Sequence, residues 1–127
     1  MKILFATGGT AGHINPALAV ASYIREKYPN SEILFVGTAD HMESRLVPNA
    51  GFDFKTIKIS GFRRSFAPKA IVHNIKTVCQ LVTSNSACKK IIKDFKPDVA
   101  VGFGGYVSGP VLQTAVSMHI PTCIHEQ

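Results

Sequence analysis

Gly8-Gly9-Thr10-Ala11-Gly12-His13 places three glycines, a hydroxyl and an imidazole within six consecutive positions. The apolar run Ile3-Leu4-Phe5-Ala6 feeds this turn, and a helical pattern begins behind it at Ile14-Asn15-Pro16. A helix N-terminus behind small residues presents unpaired N–H groups and about half a positive charge, a seat for a phosphate. Glycine lets backbone approach a ligand where a Cβ would collide, and Pro16 suits a first helical turn. His13 adds a titratable proton acceptor beside that anion seat. The spacing is neither G-x-G-x-x-G nor G-x-x-x-x-G-K-[ST], which argues against a standard dinucleotide fold and against a P-loop.

A second glycine turn, Gly102-Phe103-Gly104-Gly105-Tyr106-Val107-Ser108-Gly109-Pro110, follows the strand-like Asp98-Val99-Ala100-Val101. Gly104 and Gly105 offer backbone N–H groups there. The hydroxyls of Tyr106 and Ser108 either meet a ligand or cap and pack the start of the next helix. Two strand–glycine–helix units would bring two helix N-termini to the carboxyl edge of one sheet, where open α/β folds bind ligands.

The elements that must position these turns are legible as alternating patterns. Strands are expected at Lys2–Ala6, Ile33–Val36, Phe54–Ile59, Asp98–Val101 and Thr122–Ile124. Helices are expected at about Pro16–Tyr28, His41–Ala50, Lys69–Phe95 (with room for an interruption) and Gly109–His119. Such alternation implies an α/β fold, a parallel Rossmann-like sheet with helices on both faces. The 127 residues fit one domain, and 46% hydrophobic against 17% charged residues exclude a disordered chain. No segment approaches the roughly 20 apolar residues of a membrane span. The apolar run behind Lys2 is too short for a signal peptide, so a cytoplasmic protein is expected.

Cys79, Cys88 and Cys123 are odd in number and lack C-x-x-C or zinc-like spacing, which points to reduced thiols and no metal site. Charge is distributed unevenly. Between Lys58 and Lys96 nine basic residues stand against Asp94 alone, so this stretch holds the whole excess of a chain of formal charge +6. Arg63, Arg64, Lys69, Lys76, Lys89 and Lys90 form a candidate patch for an anionic membrane surface. Within Lys69–Thr83, Ile71, Ile75, Val78 and Val82 recur at helical spacing, as an ordinary amphipathic helix requires. Val72, Leu81, Phe62 and Phe66 are candidates to dip into a lipid interface. Nucleic acid is not an expected partner: tryptophan is absent, no RNA-binding motif occurs, and aromatics do not interleave with the basic residues.

The first loop with Asn15-Pro16, the loop Gly104-Gly105-Tyr106-Val107-Ser108-Gly109-Pro110, and the closing His125-Glu126-Gln127 together resemble the MurG family of bacterial transferases. That resemblance covers essentially the whole chain. It implies the N-terminal half-domain of a two-domain GT-B glycosyltransferase, with the C-terminal donor domain absent from these 127 residues and this chain inactive alone. The implied reaction is inverting transfer of N-acetylglucosamine from UDP-N-acetylglucosamine to undecaprenyl-diphosphate-linked muramyl-pentapeptide, in peptidoglycan synthesis at the cytoplasmic membrane face. No cofactor is implied.

By the same resemblance His13 is the candidate base and Glu126 the second choice. Thr10, Ala11 and Gly12 match the part of the first loop that contacts donor, with Ala11 standing where many members have glycine, tolerable if its φ is negative. Gly9, Gly104, Gly105, Tyr106 and Ser108 would frame the acceptor diphosphate, and Gln127 would contact acceptor sugar. Two other readings remain: a non-catalytic lipid-acceptor or membrane-binding subunit of a split transferase, and a nucleotide-binding α/β protein unrelated to sugars. Against the second stand the glycine spacing and Gly37-Thr38-Ala39-Asp40, which follows the second strand.

Overall fold

Ile3, Leu4, Phe5 and Ala6 are apolar without alternation, the signature of a strand buried on both faces. In the computed structural model, which describes residues 1–59 and 68–125, they form β1 (Lys2–Ala6), the central strand. The chain continues through α1 (Ala11–Lys27), β2 (Glu32–Gly37), α2 (Glu43–Asn49) and β3 (Asp53–Thr56). It then runs through α3 (Pro68–Phe95), β4 (Val99–Gly102), α4 (Ser108–Ser117) and β5 (Thr122–Ile124). All strand pairs are parallel, in the order β3-β2-β1-β4-β5. Chain order therefore runs outward from β1 to β3, then returns to β4 on the other side of β1. The crevice where that direction switches lies between the loops after β1 and β4.

Alternate residues of the strands feed two cores. Ile3 and Phe5 of β1 join Ile33, Phe35, Phe52 and Phe103 beneath α1 and α2, which contribute Ile14, Ala17, Ala21 and Val47. On the opposite face Leu4 and Ala6 pack with Leu34, Val36 and Ala100 under α3 and α4, through Cys88, Ile92, Val111 and Ala115. Phe5 stacks between Phe35 and Phe103, with ring centroids 5.0 and 5.5 Å away. This stack ties β1 to both neighbours directly below the carboxyl edge.

The boundaries depart from the expected ones in informative ways. α1 begins at Ala11, so Gly12 and His13 belong to its first turn rather than to a loop. The N–H groups of His13 and Ile14 already bond the Thr10 carbonyl at 3.1 Å. Pro16 consequently sits inside the helix, where it cannot bond the Gly12 carbonyl. β3 ends at Thr56, short of the expected Ile59, yet Ile57 and Ile59 remain buried in the core. α3 is one continuous helix of 28 residues.

Truncating Phe5 to alanine should cost about 3–5 kcal/mol, because both stacking partners lose their neighbour and the central strand leaves a cavity. Denaturant unfolding of Phe5→Ala checks this, with an unchanged midpoint as the contrary result.

Candidate functional site

The register of the three central strands decides where the glycine turns emerge. Ala6 pairs with both Val36 and Gly102, so the chain leaves β1 and β4 side by side. Phe103 N–H to the Ala6 carbonyl at 2.9 Å and Thr7 N–H to the Val36 carbonyl at 3.3 Å extend the ladder beyond the strands. The two turns then touch through backbone: a Cβ on Gly105, whose φ is +79°, would collide with the Gly8 carbonyl. Gly104, at φ +97°, lies under the His13 imidazole, and a Cβ there would come within 2.5 Å of Nδ1. Side chains larger than hydrogen are excluded at both positions by contact and by conformation.

The crevice above is a cleft of about 550 Å3. Gly8, Gly9, Thr10 and His13 form one wall, Gly105, Tyr106 and Val107 a second, and Thr38, His41 and Glu43 a third. His13 Nδ1 is buried and has no hydrogen-bond partner among the described residues. The His13 side chain itself lines the cleft. Thr10 is exposed, in an extended conformation, and its hydroxyl does not cap α1. Tyr106 is 67% exposed at the rim. Among the described non-glycine residues only Lys96 and His119 have positive φ, so Ala11 meets the condition for replacing glycine.

Two expected ligand donors are engaged inside the protein instead. The Ser108 hydroxyl is buried, accepts from Gly104 N–H at 3.1 Å, and lies 3.0 and 2.8 Å from the Ala6 and Gly104 carbonyls. It pins the second turn to the end of β1, because a hydroxyl enclosed at a strand end must satisfy those carbonyls. The Gly9 N–H is taken by a carboxylate, Glu43 Oε2, at 3.0 Å.

Glu43 is the residue of this cleft that sequence reasoning missed. It is fully buried, and Oε1 accepts from the Thr38 N–H at 2.9 Å and the Thr38 hydroxyl at 2.6 Å. Burial pushes its pKa up, but the Thr38 hydroxyl and the N–H groups of Thr38, Glu43 and Gly9 outweigh that and hold it below its ordinary 4.5. An ionised carboxylate only accepts, so Thr38 gives its proton to Glu43. His41 Nδ1, 2.7 Å from the Thr38 oxygen and 3.4 Å from Asp40, is thereby assigned as the protonated ring nitrogen. The signal present in the sequence was an acid in the first turn of the helix after the second strand.

Glu126, Gln127, Arg63, Arg64, Phe62 and Phe66 lie outside the described residues, as do the side chains of Ile71, Lys76, Val78, Cys79, Leu81 and Val82. The chain is still brought toward the second turn, since His125 N–H bonds the Gly102 carbonyl at 2.9 Å and its ring stacks on Phe103. Lys69, Lys89 and Lys90 are exposed, and Lys90 pairs with Asp94 at 3.0 Å. Val72 and Ile75 are about equally exposed, at 61% and 60%. Ile75 is expected on the packed stripe and is exposed instead. Among the described residues no group of His, Cys, Asp or Glu could hold a metal, and no helix is long and apolar enough to cross a membrane. Burial pushes the Cys88 thiol up to about 11 despite a bond with the Thr114 side chain, which leaves it unreactive at neutral pH.

A parallel α/β sheet with a cleft at its switch point defines a Rossmann-like half-domain. The chain belongs to glycosyltransferase family 28: that family's N-terminal domain matches residues 3–127. It is 50% identical, over 99% of its length, to a Lactococcus lactis subsp. cremoris protein named UDP-N-acetylglucosamine–N-acetylmuramyl-(pentapeptide) pyrophosphoryl-undecaprenol N-acetylglucosamine transferase. A Leuconostoc mesenteroides protein of the same name is 51% identical over the whole chain. The chain covers 34% of each of these relatives. The crystal structure of Acinetobacter baumannii MurG superposes on 98% of the chain, and 34% of its own, with a TM-score of 0.78 and 29% identity.

The contact between the turns sets opposite signs for two alanine substitutions. Gly105→Ala combines a left-handed φ with a backbone collision and should destabilise by at least about 1–3 kcal/mol. Gly109, in α4, has nothing within 4 Å of its would-be Cβ. Gly109→Ala should be neutral or stabilise by up to about 1 kcal/mol. Equal shifts of the two denaturation midpoints would contradict the interlocked geometry.

Proposed function

We propose that the protein carrying this chain transfers N-acetylglucosamine from UDP-N-acetylglucosamine to undecaprenyl-diphosphate-linked muramyl-pentapeptide, and that residues 1–127 supply the acceptor side. The observation that carries this reading is His13, which lines the cleft against the second of two interlocked glycine turns, in a family 28 N-terminal domain. The chain spans about a third of the length of the relatives named for this reaction.

In the proposed inverting displacement a muramyl hydroxyl oxygen attacks the anomeric carbon of N-acetylglucosamine. The bond from that carbon to the UDP oxygen breaks, and UDP leaves with the electron pair. His13 Nε2 takes the hydroxyl proton as the new bond forms. The N-termini of α1 and α4 converge on the cleft with partial positive charge, which favours a diphosphate between them. Gly104, Gly105 and Tyr106 frame that diphosphate, while Ser108 and Gly9 serve it by shaping the turns. Thr10, Ala11 and Gly12 face the donor, and Glu126 and Gln127 the acceptor sugar.

The lipid acceptor places the reaction at the cytoplasmic membrane surface, with the protein bound peripherally. Lys69, Lys76, Lys89 and Lys90, with Arg63 and Arg64, meet anionic headgroups, and the exposed Val72 and Ile75 supply apolar contact.

The full-length protein should form the disaccharide product from UDP-N-acetylglucosamine and a soluble muramyl-diphosphate lipid analogue. His13→Ala should lower kcat by about 10²–10⁴-fold with little change in KM for the donor. Near-normal turnover in that variant would remove His13 from the mechanism. Changing Lys69, Lys76 and Lys89 to glutamate should weaken sedimentation with phosphatidylglycerol vesicles, most strongly at low salt. Vesicle binding that ignores these charges would leave the stretch a solvated helix face.

A further inference from the structure

We propose that Glu43 is a positioning residue for His13, pinning the first glycine turn so that the imidazole is held at the cleft. This rests on the reading that His13 works in the transfer reaction. The carboxylate is completely enclosed and fits a slot made by two missing side chains. A Cβ on Gly8 would come within 2.7 Å of Oε1, and one on Gly37 within 2.5 Å of Cγ. Its two oxygens join the loops that follow β1 and β2: Oε1 holds Thr38 at the end of β2, and Oε2 holds the Gly9 N–H.

The Gly9 bond fixes the peptide plane between Gly8 and Gly9, where Gly9 takes a φ of +90°. That plane aims the Gly8 carbonyl at Gly105, and the adjoining Gly104 is the surface on which the His13 ring lies. Glu43 thus reaches His13 through Gly9, Gly8, Gly105 and Gly104 in unbroken contact. An apolar side chain of equal volume would leave the N–H groups of Gly9 and Thr38 without an acceptor, so it is the carboxylate, and not its volume, that holds both loops. A carboxylate retained there gives orientation, as outer-shell groups do around reactive ligands.

The test uses the full-length protein with glycine-selective 15N and histidine-ring 13C labels. Glu43→Gln keeps the volume but turns one acceptor oxygen into an NH2 group that opposes a backbone N–H. The Gly9 and Gly105 amide resonances and the His13 ring resonances should move, while Gly109 stays in place. The kcat should fall about 10–100-fold at nearly constant KM for UDP-N-acetylglucosamine. Unmoved His13 resonances, or full kcat with only a lower melting midpoint, would overturn the proposal. If the unsubstituted protein makes no product, the transferase reading fails, and the resonances still decide the role of Glu43.

Should Glu43→Gln not fold, acid titration of the unsubstituted protein substitutes for it, with circular dichroism confirming the native state. The charged or titratable neighbours at this wall are His41, Asp40 and His13. The carboxyl is depressed, so its bonds persist above pH 4.5 and are lost only as pH falls through its lower native value. Gly9, Thr38 and the His13 ring should then share one inflection below the ordinary carboxylate range. A His13 ring without that inflection would overturn the proposal.

Discussion

The Gly8 carbonyl lies against the α-carbon of Gly105, and the geometry of the cleft depends on that backbone contact. It requires β1 and β4 to be adjacent and in register, because only then do their loops leave the sheet side by side. It requires hydrogen in place of a side chain on both partners. Once made, it brings Gly104 beneath His13 and joins the starts of α1 and α4 into one crevice. The Phe35–Phe5–Phe103 stack supports the same three strands from below. Core packing and site geometry are consequences of one register.

Polar groups at this edge are satisfied inward first. Ser108 ties the second turn to Ala6, Glu43 ties the first turn to Thr38, and His41 closes that network. Enclosed hydrogen bonds in a low-dielectric edge make the turns stiff. Two buried side-chain atoms have no partner among the described residues, Thr7 Oγ1 and His13 Nδ1, and both belong to this edge. A site that is rigid before its ligand arrives loses less freedom on binding.

Much of this was legible in the residues. The unalternating apolar run of β1, the Thr122–Ile124 strand and the two glycine turns predict a parallel sheet with its ligand edge correctly placed. The helix starts were less legible. α1 begins at Ala11 because the Thr10 carbonyl can accept from His13 and Ile14, a local choice that hydrophobic spacing does not register. Ser108 and Glu43 show the deeper limit. Their types suggest ligand contact or a solvated helix start, while their roles are set by which distant backbone groups the fold encloses beside them. Ile75 likewise has the spacing of a packed residue and the exposure of a surface one.

Amide-resolved titration of this chain tests the central claim most directly, with a soluble muramyl-diphosphate lipid analogue in one series and UDP-N-acetylglucosamine in the other. An acceptor half-domain predicts that the lipid analogue shifts Gly8–His13 and Gly102–Ser108 together, while the nucleotide sugar leaves them almost unmoved. Tight binding of UDP-N-acetylglucosamine to those same turns would contradict it, placing the donor site here.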